Sequence, residues 1–178
     1  RCLEFANELE CPLCQFLSGF GTLDECKEDI WKRSVDSLSY LSDIAETYGI
    51  TMALETSPKS YCVTETSDDI VEMIQDVNSI SLAGIIDTAV LGYSGETIEK
   101  AIKILGKHLR HVHFADGIPN GHFVLGEGKL PLFEMLQALD NSNYKGRISL
   151  EILNNMYVED PESAMQKSFG WLLEHISD

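Results

Sequence analysis

The residues from which the architecture of this chain is most readily inferred are Arg110-His111-Val112-His113-Phe114-Ala115-Asp116-Gly117. Polar and apolar residues alternate in the first half, which is rich in β-formers and therefore predicts a strand. The second half ends in Asp-Gly, which is typical of a turn. Because side chains alternate across a strand, His111, His113 and Ala115 share one face. The stretch thus places two imidazoles and the carboxylate of Asp116 at or just past the C-terminal end of one strand.

Strands and helices alternate along the rest of the chain. Besides the fourth strand in 110–117, apolar runs predict strands at 13–17, 50–55, 81–87 and 147–152. Apolar residues spaced three and four apart predict helices at about 1–9, 25–48, 67–77, 97–105, from 131 onward and 161–176. Residues 92–95 and 117–129 are predicted as loops because they are rich in glycine. Short apolar strands between amphipathic helices predict an α/β fold with a parallel sheet and helical crossovers.

Composition predicts one globular domain over residues 1–178, with a sizeable core. No apolar run approaches the length of a membrane span, and no signal peptide is visible. The 13 Lys+Arg residues against 29 Asp+Glu give a formal charge of −16, which argues against nucleic acid and membrane partners. The five cysteines have no disulfide-framework spacing, so we expect small buried thiols and, with them, a cytoplasmic location.

Four of the predicted strands carry a metal-ligand residue type at or near the C-terminal end, namely Glu55, Asp87, His113 and Glu151. In barrels of β/α units the functional groups lie at these strand ends. Three buried carboxylates beside an imidazole would repel each other, and a divalent cation removes that repulsion. A set rich in oxygen favours Mn²⁺ or Mg²⁺, with catalytic Zn²⁺ or Co²⁺ as further possibilities.

Each of these residues also has a purely structural explanation. One histidine of the His-x-His pair could line the interior, and Glu55 could cap a helix or pair with Lys59. Asp87 could cap the turn that follows it, and Glu151 could pair with Arg147. The metal site is favoured because four ligand types occur at the same end of consecutive strands, and unpaired buried acids are rare.

Five pieces of this sequence, in order, resemble the xylose isomerase-like barrel superfamily of sugar (phosphate) isomerases and epimerases. The pieces are 53–55, 84–88, 111–116, 121–131 and 144–151. The resemblance covers the chain from about residue 45 onward and selects no single member. It implies a parallel (β/α) barrel of the TIM type, of which about five C-terminal β/α units of eight are present. Five strands cannot close a barrel, so we expect the sheet to have an open edge. We also expect that this edge could favour homo-oligomers.

The resemblance also implies a function. It matches Glu55, Asp87, His113 and Glu151 to the four ligands of one divalent metal ion, and it makes Glu55 and Glu151 the catalytic acid and base. The expected activity is that of a sugar or sugar-phosphate isomerase or epimerase of the ketose 3-epimerase, inosose isomerase or hydroxypyruvate isomerase type. A glutamate would abstract the proton next to a carbonyl, through a metal-bound enediolate.

Three further residues, His111, Asp116 and His122, are predicted to bind the substrate. Two departures from the family pattern affect the choice of substrate. Family members often carry a histidine three residues after the aspartate, where this chain has Val90. Ketose 3-epimerases often carry an arginine after the His-x-His motif, where this chain has the Pro-Asn pair at 119–120.

Three other functions are compatible with parts of the pattern. A glycosidase barrel would use paired glutamates without needing a metal. A non-catalytic binding barrel would keep the fold but would have lost the active metal site. An abasic-site endonuclease is the least consistent of the three, because the −16 charge would repel DNA.

Overall fold

In the computed structural model, the described residues are 1–22, 24–57, 63–117, 121–153 and 155–176. Their strands form a five-stranded sheet in the order β1-β2-β3-β4-β5. The pairs β1–β2, β2–β3 and β4–β5 are parallel. The strands are β1 (Leu13–Leu17), β2 (Thr51–Glu55), β3 (Leu82–Asp87), β4 (Leu109–Phe114) and β5 (Arg147–Leu150). The predicted α/β fold with a parallel sheet is confirmed.

One helix precedes the first strand, and the others occupy the segments between the strands and after the last one. In chain order they are α1 (Cys2–Glu8), α2 (Lys27–Tyr48), α3 (Ser67–Val77), α4 (Thr88–Ser94), α5 (Ile98–Leu105), α6 (Leu132–Asn141) and α7 (Pro161–His175). Short 3-10 turns occur at Gly106–His108 and Asn155–Tyr157. No helix in the described ranges is both long and apolar enough to cross a bilayer.

The chain divides into two compact units, and the first comprises residues 1–85 and 104–110. Its core contains the fully buried side chains of Met52, Leu54 and Met73. A Cβ added at Gly84 would lie 2.8 Å from Leu105 Cδ2 and 3.0 Å from Ile70 Cγ2. Glycine is therefore needed at position 84, because the side chains of Leu105 and Ile70 pack directly on the backbone of β3.

The second unit comprises residues 86–103 and 111–178. Val112 and Phe114 of β4 are fully buried in its core. Thr88 Oγ1 donates to Ala115 O (2.7 Å) and accepts from Ala115 N (2.9 Å). These two bonds tie the start of α4 to the end of β4, and so they hold Asp87 beside the end of the His-x-His strand.

Several predicted element boundaries differ from the structure by one or two residues, and helix caps explain two further differences. The sequence predicts Ser67 as the N-cap of α3, but the N-cap is Thr66, because Thr66 and Asp69 form a reciprocal capping box. Helix α4 occupies part of the region that we predicted as a loop at 92–95. Asp87 caps its first turn, and Gly95 ends it with a left-handed φ of 73°.

The prediction that the cysteines are small buried groups is wrong for the four that the structure describes. Cys2, Cys11 and Cys26 are exposed, and Cys14 is half-buried. All four are free thiols. Their positions at helix ends and in β1 place them near solvent, where hydrophobic burial contributes little.

Candidate metal centre

The two carboxylate oxygens of Asp87 face different neighbours. Asp87 is the last residue of β3 and the N-cap of α4, so its Oδ1 accepts from Val90 N (2.9 Å). Its Oδ2 lies 3.1 Å from His122 Nε2 and 4.0 Å from His113 Nδ1. The structural explanation considered for Asp87, a cap on the following turn, is therefore correct. It occupies only one of the two oxygens, and the other faces two imidazoles.

His113 and Glu151 are brought together by the pairing of β4 with β5. In the parallel register His113 lies opposite Ser149, and the ladder continues when Glu151 N donates to Phe114 O (3.3 Å). Because side chains alternate, residues 149 and 151 project to the same side as His113. As a result, Glu151 Oε2 lies 2.6 Å from His113 Nδ1.

Glu151 Oε2 is a buried atom without a hydrogen bond to any described group. It lies 2.6 Å from His113 Nδ1, and the two form an ion pair only when the imidazole is protonated. Leaving a buried carboxylate oxygen without a hydrogen bond is costly, and such atoms call for a specific explanation. A cation bound by this oxygen and by the neighbouring ligand atoms would be such an explanation.

Glu55 ends β2 in the first unit and is 8% exposed. Its Oε2 accepts a hydrogen bond from Gln15 Nε2, on the neighbouring strand β1. We did not predict Gln15 as a site residue. The available signal was a single amide in the middle of the otherwise apolar strand 13–17.

Within the second unit, Asp87, His113 and Glu151 each offer one ligand atom, and these atoms all lie within 4.8 Å of one another. Oxygen and nitrogen ligands bind Mn²⁺, Mg²⁺ or Ca²⁺ at about 2.0–2.5 Å, so two ligands of the same ion can be up to about 5 Å apart. Asp87, His113 and Glu151 therefore fit a single divalent ion, and a set rich in carboxylates suits a hard cation. Glu55 as the fourth ligand stays a prediction.

The two other histidines predicted at the site have defined contacts. His122, from the segment before α6, reaches Asp87 Oδ2 as described above, and its carbonyl accepts from Leu153 N (3.2 Å). His111 Nε2 lies 2.9 Å from Ser149 Oγ, and its ring meets that of His113 edge to face at 5.2 Å. Their binding to a substrate stays a prediction.

Asp116 has a full set of hydrogen bonds. Its Oδ1 accepts from Gly117 N (2.8 Å) and Leu130 N (3.0 Å), while its Oδ2 accepts from Gly126 N (3.0 Å) and Gly128 N (2.8 Å). The residue is 2% exposed. These bonds make Asp116 the anchor of the segment before α6, and its predicted contact with substrate stays untested.

A profile of the xylose isomerase-like TIM barrel matches residues 1–175 of this chain. Fructoselysine 3-epimerase from Escherichia coli O157:H7 is 30% identical over 135 residues, which are 74% of this chain and 49% of that protein. Inosose isomerase from Bacillus subtilis (strain 168) is 30% identical over 149 residues, which are 79% of this chain and 54% of that protein. The chain thus spans about half the length of the curated relatives that it matches.

Solved structures agree on the fold. The crystal structure of D-psicose 3-epimerase in the presence of D-fructose superposes with a TM-score of 0.82 at 19% identity, over 97% of this chain and 67% of that chain. The crystal structure of the IolI protein with a bound zinc atom gives a TM-score of 0.83 at 25% identity, over 99% of this chain and 68% of that chain. With the family profile covering nearly the whole sequence, the chain belongs to the xylose isomerase-like TIM barrel family.

Proposed function

We propose that this protein is a divalent-metal-dependent isomerase or epimerase that acts on sugars or sugar phosphates. The observation that carries the proposal is the buried Glu151 Oε2, which has no hydrogen bond and lies 2.6 Å from His113 Nδ1. Relatives named fructoselysine 3-epimerase and inosose isomerase support the reaction class. The substrate is a small molecule with a carbonyl next to a hydroxyl-bearing carbon.

The proposed ligands are Glu55, Asp87, His113 and Glu151. Among them the carboxylates favour Mn²⁺ or Mg²⁺. Zn²⁺ is supported by the zinc atom of the IolI crystal structure, and Co²⁺ would suit the same set. When bound, the cation would supply positive charge beside the substrate carbonyl and so acidify the neighbouring carbon-bound proton.

The two glutamates are the proposed proton carriers. Epimerisation needs a proton removed from one face of a carbon and returned to the other, so it needs two groups. Glu55 ends strand β2 and Glu151 directly follows strand β5, and these strands are separated in the sheet order by β3 and β4. Gln15 Nε2 donates to Glu55 Oε2 and would orient that carboxylate. Isomerisation between adjacent carbons needs only one of the two glutamates.

We propose that His111 and His122 contact the substrate hydroxyls beside this pair. Each has a ring nitrogen with a described partner, Ser149 Oγ for His111 and Asp87 Oδ2 for His122. The imidazoles would therefore be held in fixed orientations when the substrate binds. Cytoplasmic location and self-association stay predictions from the sequence.

The test is hydrogen exchange in D₂O with the Mn²⁺-loaded protein and D-fructose, D-psicose or an inosose, followed by NMR. We expect metal-dependent incorporation of deuterium at the carbon next to the carbonyl, accompanied by a new epimer or isomer. Glu151→Gln and Glu55→Gln should each abolish epimer formation, whereas the exposed Glu134→Gln in α6 should not. Exchange or hydrolysis that persists in chelator would contradict the proposal and favour a metal-independent barrel enzyme. The absence of exchange with every substrate would contradict it too.

A further inference from the structure

A second cleft lies within the first unit, at the end of β3 opposite to Asp87. It has a volume of about 630 Å³ and is lined by the end of α3, the start of β3 and the segment from Lys107 to Arg110. Small-molecule sites have volumes of about 300–1,000 Å³. The cleft is therefore large enough for a small metabolite, and it shares no lining residue with the metal centre.

The charge of this cleft is opposite to that of the chain as a whole. Lys107, His108 and Arg110 line it, although the chain has only 13 Lys+Arg against 29 Asp+Glu. Within the part of the chain that the structure describes, none of the three has a carboxylate within ion-pair distance. By comparison, Arg33 of the same unit pairs with Glu25 at 2.8 Å.

The three basic residues also interact unfavourably with one another. Partial burial lowers the pKa of His108, and the nearby charges of Lys107 and Arg110 lower it further. An anion between them would remove this repulsion, and charge-assisted hydrogen bonds to phosphate or carboxylate oxygens are stronger than neutral ones.

The rest of the lining provides polar and apolar contact. Ile80 is 92% exposed at the rim, and Leu82 lies in the wall. The carboxylate of Glu46 contacts this lining through Ser79, whose Oγ donates to Glu46 Oε1 (2.7 Å). Large exposed apolar side chains beside unpaired cations suit a ligand with one charged end and one apolar or ring-shaped end.

We propose that this cleft binds a small organic anion through a phosphate ester or carboxylate group held by Lys107, His108 and Arg110, with its uncharged part against Ile80 and Leu82. In TIM barrels the chemistry occurs at the C-terminal ends of the strands. A ligand at the N-terminal end of β3 would thus be an effector or an anchor, not the substrate.

The test is a titration of the ¹⁵N-labelled protein with AMP, with inorganic phosphate and with an acidic peptide, each separately, followed by NMR. We expect saturable shifts of the amides of residues 78–83 and 107–110, with AMP binding more tightly than phosphate. The double variant Lys107→Gln/Arg110→Gln should weaken AMP binding about tenfold or more, which corresponds to about 1.4 kcal/mol. The charge-matched control Lys32→Gln/Lys103→Gln removes two exposed cations outside the cleft and should change the affinity by less than about twofold.

Three outcomes would overturn the proposal. The first is a set of shifts that do not saturate or that lie elsewhere. The second is an equal loss of affinity in the control variant, which would show that net charge alone is responsible. The third is saturation by an acidic peptide but not by AMP, which would assign the cleft to a protein partner.

Discussion

Glu151 Oε2 and His113 Nδ1 lie 2.6 Å apart in the metal centre, and no hydrogen bond satisfies the glutamate oxygen. Asp87 Oδ2 lies 4.0 Å from the same histidine nitrogen. Two carboxylates that face one neutral imidazole repel each other, and a bound divalent cation would remove that repulsion. This relationship connects the folding of the strand ends to the proposed chemistry.

The first prediction concerns stability with and without metal. Mn²⁺ at 100 times its Kd should raise the free energy of unfolding of the unsubstituted protein by about 2.7 kcal/mol. Glu151→Gln should lose most of this gain, because an amide oxygen is a weaker ligand than a carboxylate. Without metal, the same variant should unfold at the same urea concentration or a higher one, because one buried negative charge is gone. An equal Mn²⁺ effect in both proteins would contradict Glu151 as a ligand.

The second prediction concerns the partner of Asp87. His122 Nε2 lies 3.1 Å from Asp87 Oδ2, so His122→Ala should let the carboxylate turn away from its present position. Loss of such a supporting contact weakens metal affinity by about 10–100-fold. His175→Ala is the matched control, because the described contacts of His175 are to Trp171 O (2.7 Å) and to the rings of Trp171 and Phe133, none of which is a proposed ligand. Calorimetric titration with Mn²⁺ should separate the two, and equal affinities in the two variants would refute the role of His122.

The third prediction concerns the segment anchored by Asp116. A Cβ at Gly128 would lie 2.5 Å from Gly117 O and would also strike the Asp116 carboxylate. Gly128→Ala should therefore break several of the hydrogen bonds to Asp116 and destabilise the protein by about 3 kcal/mol. Gly170→Ala in α7 meets nothing within 4 Å and should stabilise by up to about 1 kcal/mol, because alanine favours helix. Urea denaturation measures both, and similar midpoints for the two variants would contradict this account.

The fourth prediction concerns the titration of His108. Burial and then the charges of Lys107 and Arg110 lower its pKa below the ordinary 6.5. The unfolded chain then binds the proton more readily, so the free energy of unfolding falls as the pH drops from 6.5 through the lowered pKa. NMR titration of the ring should give a midpoint below 6.5, and Lys107→Gln should move it upward but not fully back. A midpoint at or above 6.5 in the unsubstituted protein would contradict this prediction.

Much of the fold could be predicted from sequence because its signals are local. The alternation of His111, Val112 and His113 predicts a strand, and β4 indeed spans Leu109–Phe114. Helix α4 was missed because Gly92 and Gly95 suggest a loop, whereas the cap by Asp87 and its contact with Val90 N outweigh one glycine in the helix.

The contacts that complete the site could not be predicted in the same way. His122 meets Asp87 across 35 residues of sequence, through a segment with no periodic pattern. The bonds to Asp116 come from backbone N–H groups. Nearly every residue has such a group, so the residue types do not reveal which ones will donate. The identity of the ligand types at strand ends can be read from sequence, but their supporting partners depend on how the loops fold.

The most direct measurement is calorimetric titration of Mn²⁺ into the purified, metal-free chain at neutral pH. We expect one ion per chain, with binding lost in His113→Ala and in Asp87→Asn and retained in Glu134→Gln. Failure to bind Mn²⁺, Mg²⁺, Zn²⁺ or Co²⁺, or binding that survives both site substitutions, would contradict a shared metal centre and with it the proposed enzyme.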